Sequence, residues 1–241
     1  MEYRYTAIVL SKRETGETDR LYTFYTQEVG KIVAMAKGVR KPTAKLASQL
    51  ENGFQVGITV IKGRGIGKIA GAIAEERFPH LREDYQVYRS LLQTLDRVRI
   101  LTEPEEGDRQ VYTLLHDFLA LSETLLKNKT PEKYFFLREC FLLKLYSILG
   151  YHIDTARCIA TGEKLKTGQK YVFSPRDGAC VIAGVARSYA GTIPVTENTI
   201  KMLRLILKNT LPSLVKLVPL PAETKRVAQV AESLYQWTIH H

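Results

Sequence analysis

Apolar and polar residues alternate with a period of two in parts of the first 80 residues. From Lys31 to Lys37 the alternation places Ile32, Ala34 and Ala36 on one face of a strand. Other runs are rich in β-branched and aromatic residues, which favour strands: Tyr5 to Lys12, Asp19 to Thr26, Gln55 to Lys62 and Lys68 to Glu76. Glycine-bearing turns separate these runs. Five short strands with such turns predict a small Greek-key barrel of the OB type, and an SH3-like barrel fits nearly as well.

From about Pro79 the apolar positions recur every three to four residues, which is typical of helices. The predicted helices are Leu81 to Leu101, Arg109 to Lys127, Pro131 to a glycine stop at Gly150, Glu197 to Asn209 with Thr196 as its cap, and Ala222 to Trp237. We therefore predict an α+β multidomain chain. An OB-type barrel covers residues 1–80, and a mainly α-helical domain covers residues 81–241 with an irregular insert at about 151–194. His240 and His241 fit a native end or a tag.

Composition is ordinary for a globular protein. Of the 241 residues, 45% are hydrophobic and 25% are charged, so extensive disorder is not expected. No run approaches the ~20 apolar residues that cross a bilayer, and the N-terminus lacks the layout of a secretion signal. Three cysteines are too few and too scattered for a disulfide framework. These features predict a cytoplasmic protein with no membrane partner.

The net charge of +10 is concentrated at the two ends of the chain. Residues 1–80 hold 13 Lys and Arg against 8 Asp and Glu, and residues 150–241 hold 12 against 6, whereas the middle is nearly neutral. Such a distribution favours polyanionic partners, namely DNA, RNA or an acidic peptide tail.

Basic residues surround the predicted strands, and a cationic loop follows the third strand. The loop from Lys37 to Lys45 carries four cations in nine residues, which is too many to bury. Tyr22 and Phe24 would share one strand face and Tyr25 the other, so we expect Tyr25 or Tyr22 to be exposed for stacking on bases. The predicted nucleic-acid contacts are Arg13, Arg20, Lys31, Lys37, Arg40, Lys41, Lys45, Arg64 and Lys68.

The glycine-rich segment Gly63 to Lys68 does not meet the requirements of a phosphate-binding loop. That loop needs four residues between its glycines and a Ser or Thr after the lysine. Here three residues separate Gly63 from Gly67, and Ile69 follows Lys68. A connection between two strands is the better interpretation, and Arg64 could contact phosphate only as a plain cation.

Catalytic constellations are also missing from the sequence. The five histidines are scattered, and no serine lies in a Gly-x-Ser-x-Gly elbow. The acids Glu105, Glu106 and Asp108 lie in a connection with Pro and Gly, which predicts a solvated loop. We expect a protein that is not an enzyme.

Two cysteines resemble the remnants of a zinc module. Cys158 and Cys180 each begin half of a paired-cysteine pattern, but Thr161 and Ala183 occupy the positions of the second cysteines. A structural zinc needs four ligands, and the spacing of His152 to Cys158 follows no ligand pattern. We therefore expect no zinc and no other cofactor, and an insert that is a degenerate zinc module held by ordinary packing.

The order of several motifs resembles the RecO family of bacterial recombination mediators. Gly16-Glu17-Thr18-Asp19, Gly30-Lys31 and Lys37-Gly38-Val39-Arg40-Lys41 follow one another as they do in that family. Leu149-Gly150-Tyr151 and then Cys158 stand where the family carries a Leu-Gly-Tyr run and a zinc module. The resemblance is strong over residues 5–60 and around residues 149–180.

The resemblance implies an N-terminal OB barrel, a helical domain and a function in recombinational repair without ATP. Such a protein binds single- and double-stranded DNA, anneals complementary strands and assists recombinase loading onto strands coated by single-strand-binding protein. The implied partners are RecR and the acidic C-terminal tail of single-strand-binding protein. The basic final third offers that tail Lys201, Arg204, Lys208 and Lys216.

Two other functions remain open from the sequence. The first is an OB-fold RNA-binding or ribosome-associated protein, which a preference for RNA over DNA would reveal through contacts to the 2′-hydroxyl. The second is an adaptor whose basic surfaces dock acidic peptides and bind nucleic acid only weakly. Oligomeric state and preference for a particular DNA sequence do not follow from these patterns.

Overall fold

Five N-terminal strands close into a barrel in a computed structural model, which describes residues 1–41, 44–189 and 191–240. The strands are β1 (Glu2–Thr15), β2 (Asp19–Thr26), β3 (Gly30–Ala36), β4 (Gln55–Ile61) and β5 (Gly67–Glu76). Their order around the barrel is β1-β2-β3-β5-β4. Neighbouring strands are antiparallel except β3 and β5, which run parallel. Within the predicted cationic loop, Pro42 and Thr43 lie outside the described residues, as does His241 at the C-terminus.

The inward face of the barrel forms a hydrophobic core. Tyr22, Phe24 and Ala34 are fully buried there, together with Ile32 and Val56. These positions alternate with outward ones because successive side chains of a strand point to opposite faces. The strict alternation between Lys31 and Lys37 is therefore the sequence signature of β3.

Two helices belong to the same compact unit as the barrel. They are α1 (Tyr85–Leu101), capped by the Asp84 carboxylate, and α2 (Arg109–Lys127), capped by Asp108. The connection between them lies along β3, because the Glu105 N–H donates to the Lys31 carbonyl over 2.9 Å and Pro104 forms a bridge with the same residue. Glu105, Glu106 and Asp108, which the sequence predicted to lie in a solvated loop, are thus part of a segment whose backbone is hydrogen-bonded to the barrel.

This connection covers part of the outer barrel surface and buries Tyr25. The Tyr25 hydroxyl is within 3.2 Å of both the carbonyl and the N–H of Asp108, and the residue is 1% exposed. Tyr22 and Phe24 are buried on the opposite face. The prediction that Tyr25 or Tyr22 is exposed for stacking was therefore wrong, because both faces of β2 are covered at these positions.

The second compact unit comprises helices and a small sheet. Its helices are α3 (Pro131–Ile148), α4 (Glu197–Lys208), the short α5 (Leu211–Leu214) and α6 (Pro221–His240). Its strands β6 (Tyr171–Ser174), β7 (Ala179–Ile182) and β8 (Ile193–Val195) form a sheet in the order β7-β6-β8. The predicted fold class, a five-stranded OB-type barrel followed by a mainly helical domain, is confirmed.

The two units defined by contacts are Met1–Pro131 and Glu132–His241, so the first two helices group with the barrel. The division at residue 80 that the sequence predicts stays a prediction.

Local signals set the ends of the helices in the second unit. Thr196 caps α4 by accepting the Thr199 N–H at 3.1 Å, as the sequence predicted. The buried Glu223 of α6 accepts from the hydroxyls of both threonines, so a carboxylate lies at the positive end of α4. Gly150 follows α3 with a φ of +89°, and it ends that helix as predicted.

Candidate nucleic-acid interface

The turn between β1 and β2 holds the cationic loop that follows β3. Asp19 Oδ1 accepts the Gly38 N–H at 2.7 Å, and the Thr18 carbonyl accepts the Arg40 N–H at 2.9 Å. Gly38 has a φ of +63°, a conformation that side-chain-bearing residues rarely adopt. Two hydrogen bonds therefore join the Gly-Glu-Thr-Asp turn to the Lys-Gly-x-Arg-Lys loop.

A row of four paired residues crosses the outer face of the barrel. Arg13 pairs with Leu21, Leu21 with Met35, and Met35 with Lys68. Directly paired residues point to the same face of a sheet, so the row places a cation at each end of a strip across four strands. We call these four residues the outer strip. Val33, which also points outward on β3, is 47% exposed.

Exposed cations lie at the ends of the outer strip and on the loops beside it. Lys37 and Lys41 lie on the loop that Asp19 anchors, and Arg64 lies on the connection between β4 and β5, as the sequence predicted for that glycine-rich segment. None of these side chains forms an ion pair within the described part of the chain. The exposed cations of this surface that have no ion-pair partner among the described residues are Arg13, Lys37, Lys41, Lys45, Arg64 and Lys68.

Two arginines of the predicted set share one carboxylate. Glu14 lies 3.4 Å from Arg40 Nε and 3.6 Å from Arg20 Nη2. Exposed ion pairs contribute on the order of 1 kcal/mol or less, and Glu14 is 59% exposed. A phosphate can therefore replace this carboxylate as the partner of Arg40 at small cost.

Lys31 has a structural position instead of a surface one. Its Nζ donates to the carbonyls of Arg99, at 2.8 Å, and Thr102, which lie at the C-terminal end of α1. Burial lowers the pKa of Lys31, and the nearby Glu103 partly counteracts this effect. An ammonium at the negative end of a helix stabilises that end. The structure thus assigns Lys31 to the packing of α1 and not to the exposed cations.

Of the four cations predicted for partner binding, three are exposed and one makes a structural hydrogen bond. Lys201 and Lys208 on α4 are exposed, as is Lys216. Arg204 lies between them in sequence, and its Nε donates to the Thr155 carbonyl at 2.9 Å. Arg204 therefore anchors the start of the insert to α4.

The first turns of α3 and α6 form an apolar groove that the sequence did not reveal. Its volume is about 430 Å³. Phe135, Phe136 and Val218 supply apolar surface, and Val218 is 77% exposed. The cations around it are Lys133, Arg138 and Lys225, and the acids are Glu132 and Glu139. Because both helices begin here, their positive ends add to the attraction for an anion.

Hydrogen bonds from the backbone and from a side chain surround the Cys158 thiol of the insert. The Ile182 N–H donates to Cys158 Sγ at 3.4 Å. Burial raises the pKa of Cys158, but hydrogen bonds from Thr161, Ile182 and Ala160 outweigh it, so the pKa lies below the ordinary thiol value. Burial raises the pKa of Cys180 to about 12.

Across residues 1–41, 44–189 and 191–240, no group of three or more His, Cys, Asp or Glu could hold a metal ion. The absence of zinc and of any other cofactor stays a prediction.

Comparison with known proteins matches both parts of the chain. The family model described as "Recombination protein O N terminal" matches residues 1–78, and the model described as "Recombination protein O C terminal" matches residues 82–241. The chain belongs to the RecO family. Two of the motifs by which the sequence resembled that family lie in the anchored turn and loop of the barrel, and the Leu149-Gly150-Tyr151 motif lies at the end of α3.

Individual relatives agree with the RecO assignment. A DNA repair protein RecO from Desulfitobacterium hafniense is 31% identical over 180 residues, which are 74% of this chain and 63% of that protein. One from Dehalococcoides mccartyi is 27% identical over 216 residues, 90% of this chain and 82% of that protein. One from Chloroherpeton thalassium is 28% identical over 207 residues, 82% and 78% of the two chains. The match to the first of these spans less than two thirds of its length.

Among the described residues of this RecO family member, no helix is both long and apolar enough to cross a bilayer.

Proposed function

We propose that this chain is a DNA-binding recombination mediator that acts in recombinational repair. The observation that carries the proposal is the set of exposed cations on and beside the outer strip, with the loop of Lys37 and Lys41 fixed by Asp19. Because the backbone of this loop is already held in place, less of its conformational freedom is lost when its cations bind phosphates. Membership in the RecO family and the similarity to proteins named as DNA repair proteins support repair as the process.

The proposed mechanism is electrostatic and involves no covalent step. Exposed cations lower the repulsion between two phosphate backbones, so that complementary strands can approach and pair. Leu21 and Met35 lie between Arg13 and Lys68 in the outer strip, and together with the exposed Val33 they offer apolar contact to unpaired bases. The protein then binds single- and double-stranded DNA and anneals complementary strands. It needs no ATP and is not an enzyme, and its expected compartment is the cytoplasm.

We place the acidic tail of single-strand-binding protein in the apolar groove. That groove combines apolar surface at Phe135, Phe136 and Val218 with Lys133 and Lys225 and with two helix N-termini. A peptide that carries both carboxylates and apolar side chains therefore fits this groove better than it fits a surface that offers cations alone. Docking of this tail and of a RecR-like mediator would bring the protein to coated strands and assist recombinase loading.

The DNA-binding proposal is tested by titrating labelled single-stranded DNA and RNA of the same sequence and following fluorescence anisotropy at several salt concentrations without ATP. We expect tighter binding of DNA, and a loss of about tenfold or more in affinity at low salt for the double variant Arg40→Glu and Lys41→Glu. The matched control, Lys127→Glu with Lys129→Glu, makes the same charge change at exposed positions near the end of α2. Equal losses in both variants would contradict a defined site, and preference for RNA would favour the RNA-binding alternative.

The tail site is tested separately with an acidic peptide that ends in apolar residues. Lys225→Glu should weaken peptide binding, whereas Lys216→Glu should leave it unchanged, since Lys216 lies outside the groove. The opposite pattern would assign the tail to the cations that the sequence predicted at Lys201, Lys208 and Lys216.

A further inference from the structure

A second pocket lies in the C-terminal unit, away from the apolar groove. Its volume is about 460 Å³, within the ~300–1,000 Å³ of typical small-molecule sites. Three segments build it: the residues after α3, the turn between β6 and β7, and the last turns of α6. Its chemically distinctive side chains are Tyr151, His152, Arg176, Asp177 and Trp237.

The end of α3 fixes the position of Tyr151. The Tyr151 N–H donates to the Tyr146 carbonyl at 2.9 Å, and the Gly150 N–H donates to the Ser147 carbonyl at 3.2 Å. This pair of bonds, with a positive φ at Gly150, is a Schellman motif. Tyr151 therefore leaves the helix in a set direction, and it is 37% exposed beside the pocket.

The opposite wall is equally constrained. A Cβ at Gly178 would lie only 1.9 Å from the His152 carbonyl oxygen, so only glycine lets the β6–β7 turn approach so closely. The Ser174 hydroxyl donates to Asp177 Oδ2 at 2.6 Å and orients that carboxylate. Arg176, next to it, is exposed. The third wall presents Trp237 and the buried Leu234, three positions apart on one face of α6.

We infer that this pocket holds one nucleobase of a bound single strand. Tyr151 and Trp237 supply flat apolar faces on which any base can stack. Asp177 supplies a fixed acceptor for a base N–H group, and the exposed Arg176 supplies a cation for the adjoining phosphate. The inference rests on the proposed function, because it requires that the protein bind single-stranded DNA and adds a site for one of its bases in the C-terminal unit.

Trp237 makes the pocket directly observable, because it is the only tryptophan of the chain. The full chain is titrated at low salt with oligothymidylate and with an abasic oligonucleotide of equal length, while tryptophan fluorescence and the anisotropy of a label on the strand are both recorded. We expect saturable quenching by oligothymidylate over the same concentrations as the anisotropy change. The abasic strand should cause little quenching, since it has phosphates and no bases.

Two variants separate stacking from general effects. Tyr151→Leu should weaken single-strand binding by about tenfold, as expected for one stacked base. Arg176→Gln should also weaken it, and this residue is exposed and lies outside the motif that ends α3. The control Tyr85→Leu removes a tyrosine that is 76% exposed on α1, and it should bind as the unsubstituted chain does.

Normal anisotropy with unchanged tryptophan fluorescence would overturn the pocket and leave the proposed function intact. Unaltered affinity of both pocket variants for the single strand would likewise overturn the pocket and leave the proposed function intact. No anisotropy change with any strand would overturn the proposed function and the pocket together.

Discussion

At the scale of single residues, Asp19 and Lys31 show how charge is used for structure beside a cationic surface. Asp19 accepts the Gly38 N–H at 2.7 Å, and Lys31 caps the carbonyl end of α1. Asp19 holds the loop that carries the exposed Lys37 and Lys41, and Lys31 lies on β3, the strand that precedes this loop. Charge alone therefore does not tell which of these side chains is available to a phosphate.

Substitution of Asp19 by alanine should weaken DNA binding although it removes a negative charge. The reason is that the carboxylate positions the loop of Lys37 and Lys41, and hydrogen bonds to charged groups contribute about 1.5–3 kcal/mol. We expect a several-fold loss of affinity in the anisotropy assay and a lower Tm. The matched control is Glu17→Ala in the same turn, which removes an exposed acid and should leave affinity unchanged or slightly higher. Tighter binding by Asp19→Ala would contradict the positioning role.

Substitution of Lys31 by methionine should reduce stability and spare DNA binding. The ammonium makes two hydrogen bonds to α1 carbonyls, so its loss should cost about 1–3 kcal/mol in the free energy of unfolding. Urea unfolding measures that cost, and the anisotropy titration is done under conditions where the variant is folded. A large loss of affinity with unchanged stability would return Lys31 to the DNA-contacting set.

At the scale of elements, the insert is held by hydrogen bonds and packing around its two cysteines. Thr161 hydrogen-bonds to Cys158, which also accepts the Ile182 N–H. The three strands β6, β7 and β8 bury Phe173, Cys180 and Val181. Packing and backbone pairing thus hold this segment, in place of the folding free energy that a metal would contribute.

A chelator should leave the Tm of the unsubstituted chain unchanged, because two thiols do not form a structural zinc site. The double variant Thr161→Cys with Ala183→Cys should bind zinc, show a higher Tm and lose that gain when chelator is added. Each single substitution serves as a control with three thiols. A clear drop in the Tm of the unsubstituted chain with chelator would show that metal contributes to its stability.

At the scale of the whole molecule, charge is distributed unevenly along the chain. Residues 1–80 and 150–241 are basic, whereas the stretch between them is nearly neutral. Among the described residues, six exposed cations without an ion-pair partner lie on and beside the outer strip of the barrel. Such a cluster concentrates a polyanion at one surface of the first unit and makes its affinity depend on salt.

The affinity for single-stranded DNA should fall with salt concentration, and the steepness of the fall should increase with the number of cations that contact phosphates. At about −0.7 per phosphate, full use of six exposed cations gives a slope of about −4 in a plot of log affinity against log salt. The variant Lys37→Ala with Lys41→Ala should reduce the steepness by about 1.4. A slope near zero for the unsubstituted chain would contradict an electrostatic interface.

The sequence by itself determined the five barrel strands, the long helices and the family, but not the small sheet of the insert or the short α5. Period-two and helical patterns, the Thr196 cap and the Gly150 stop are encoded within a few residues, because they depend on local hydrogen bonds and backbone conformation. The order of the turn and loop motifs sufficed for the family resemblance. Only the tertiary structure decided which side chains are available, since burial depends on contacts between distant segments. Tyr25 meets Asp108 from 83 positions away, and Lys31 meets Thr102 from 71 positions away. The apolar groove and the Trp237 pocket likewise join separate helices and turns, so no local pattern could predict them.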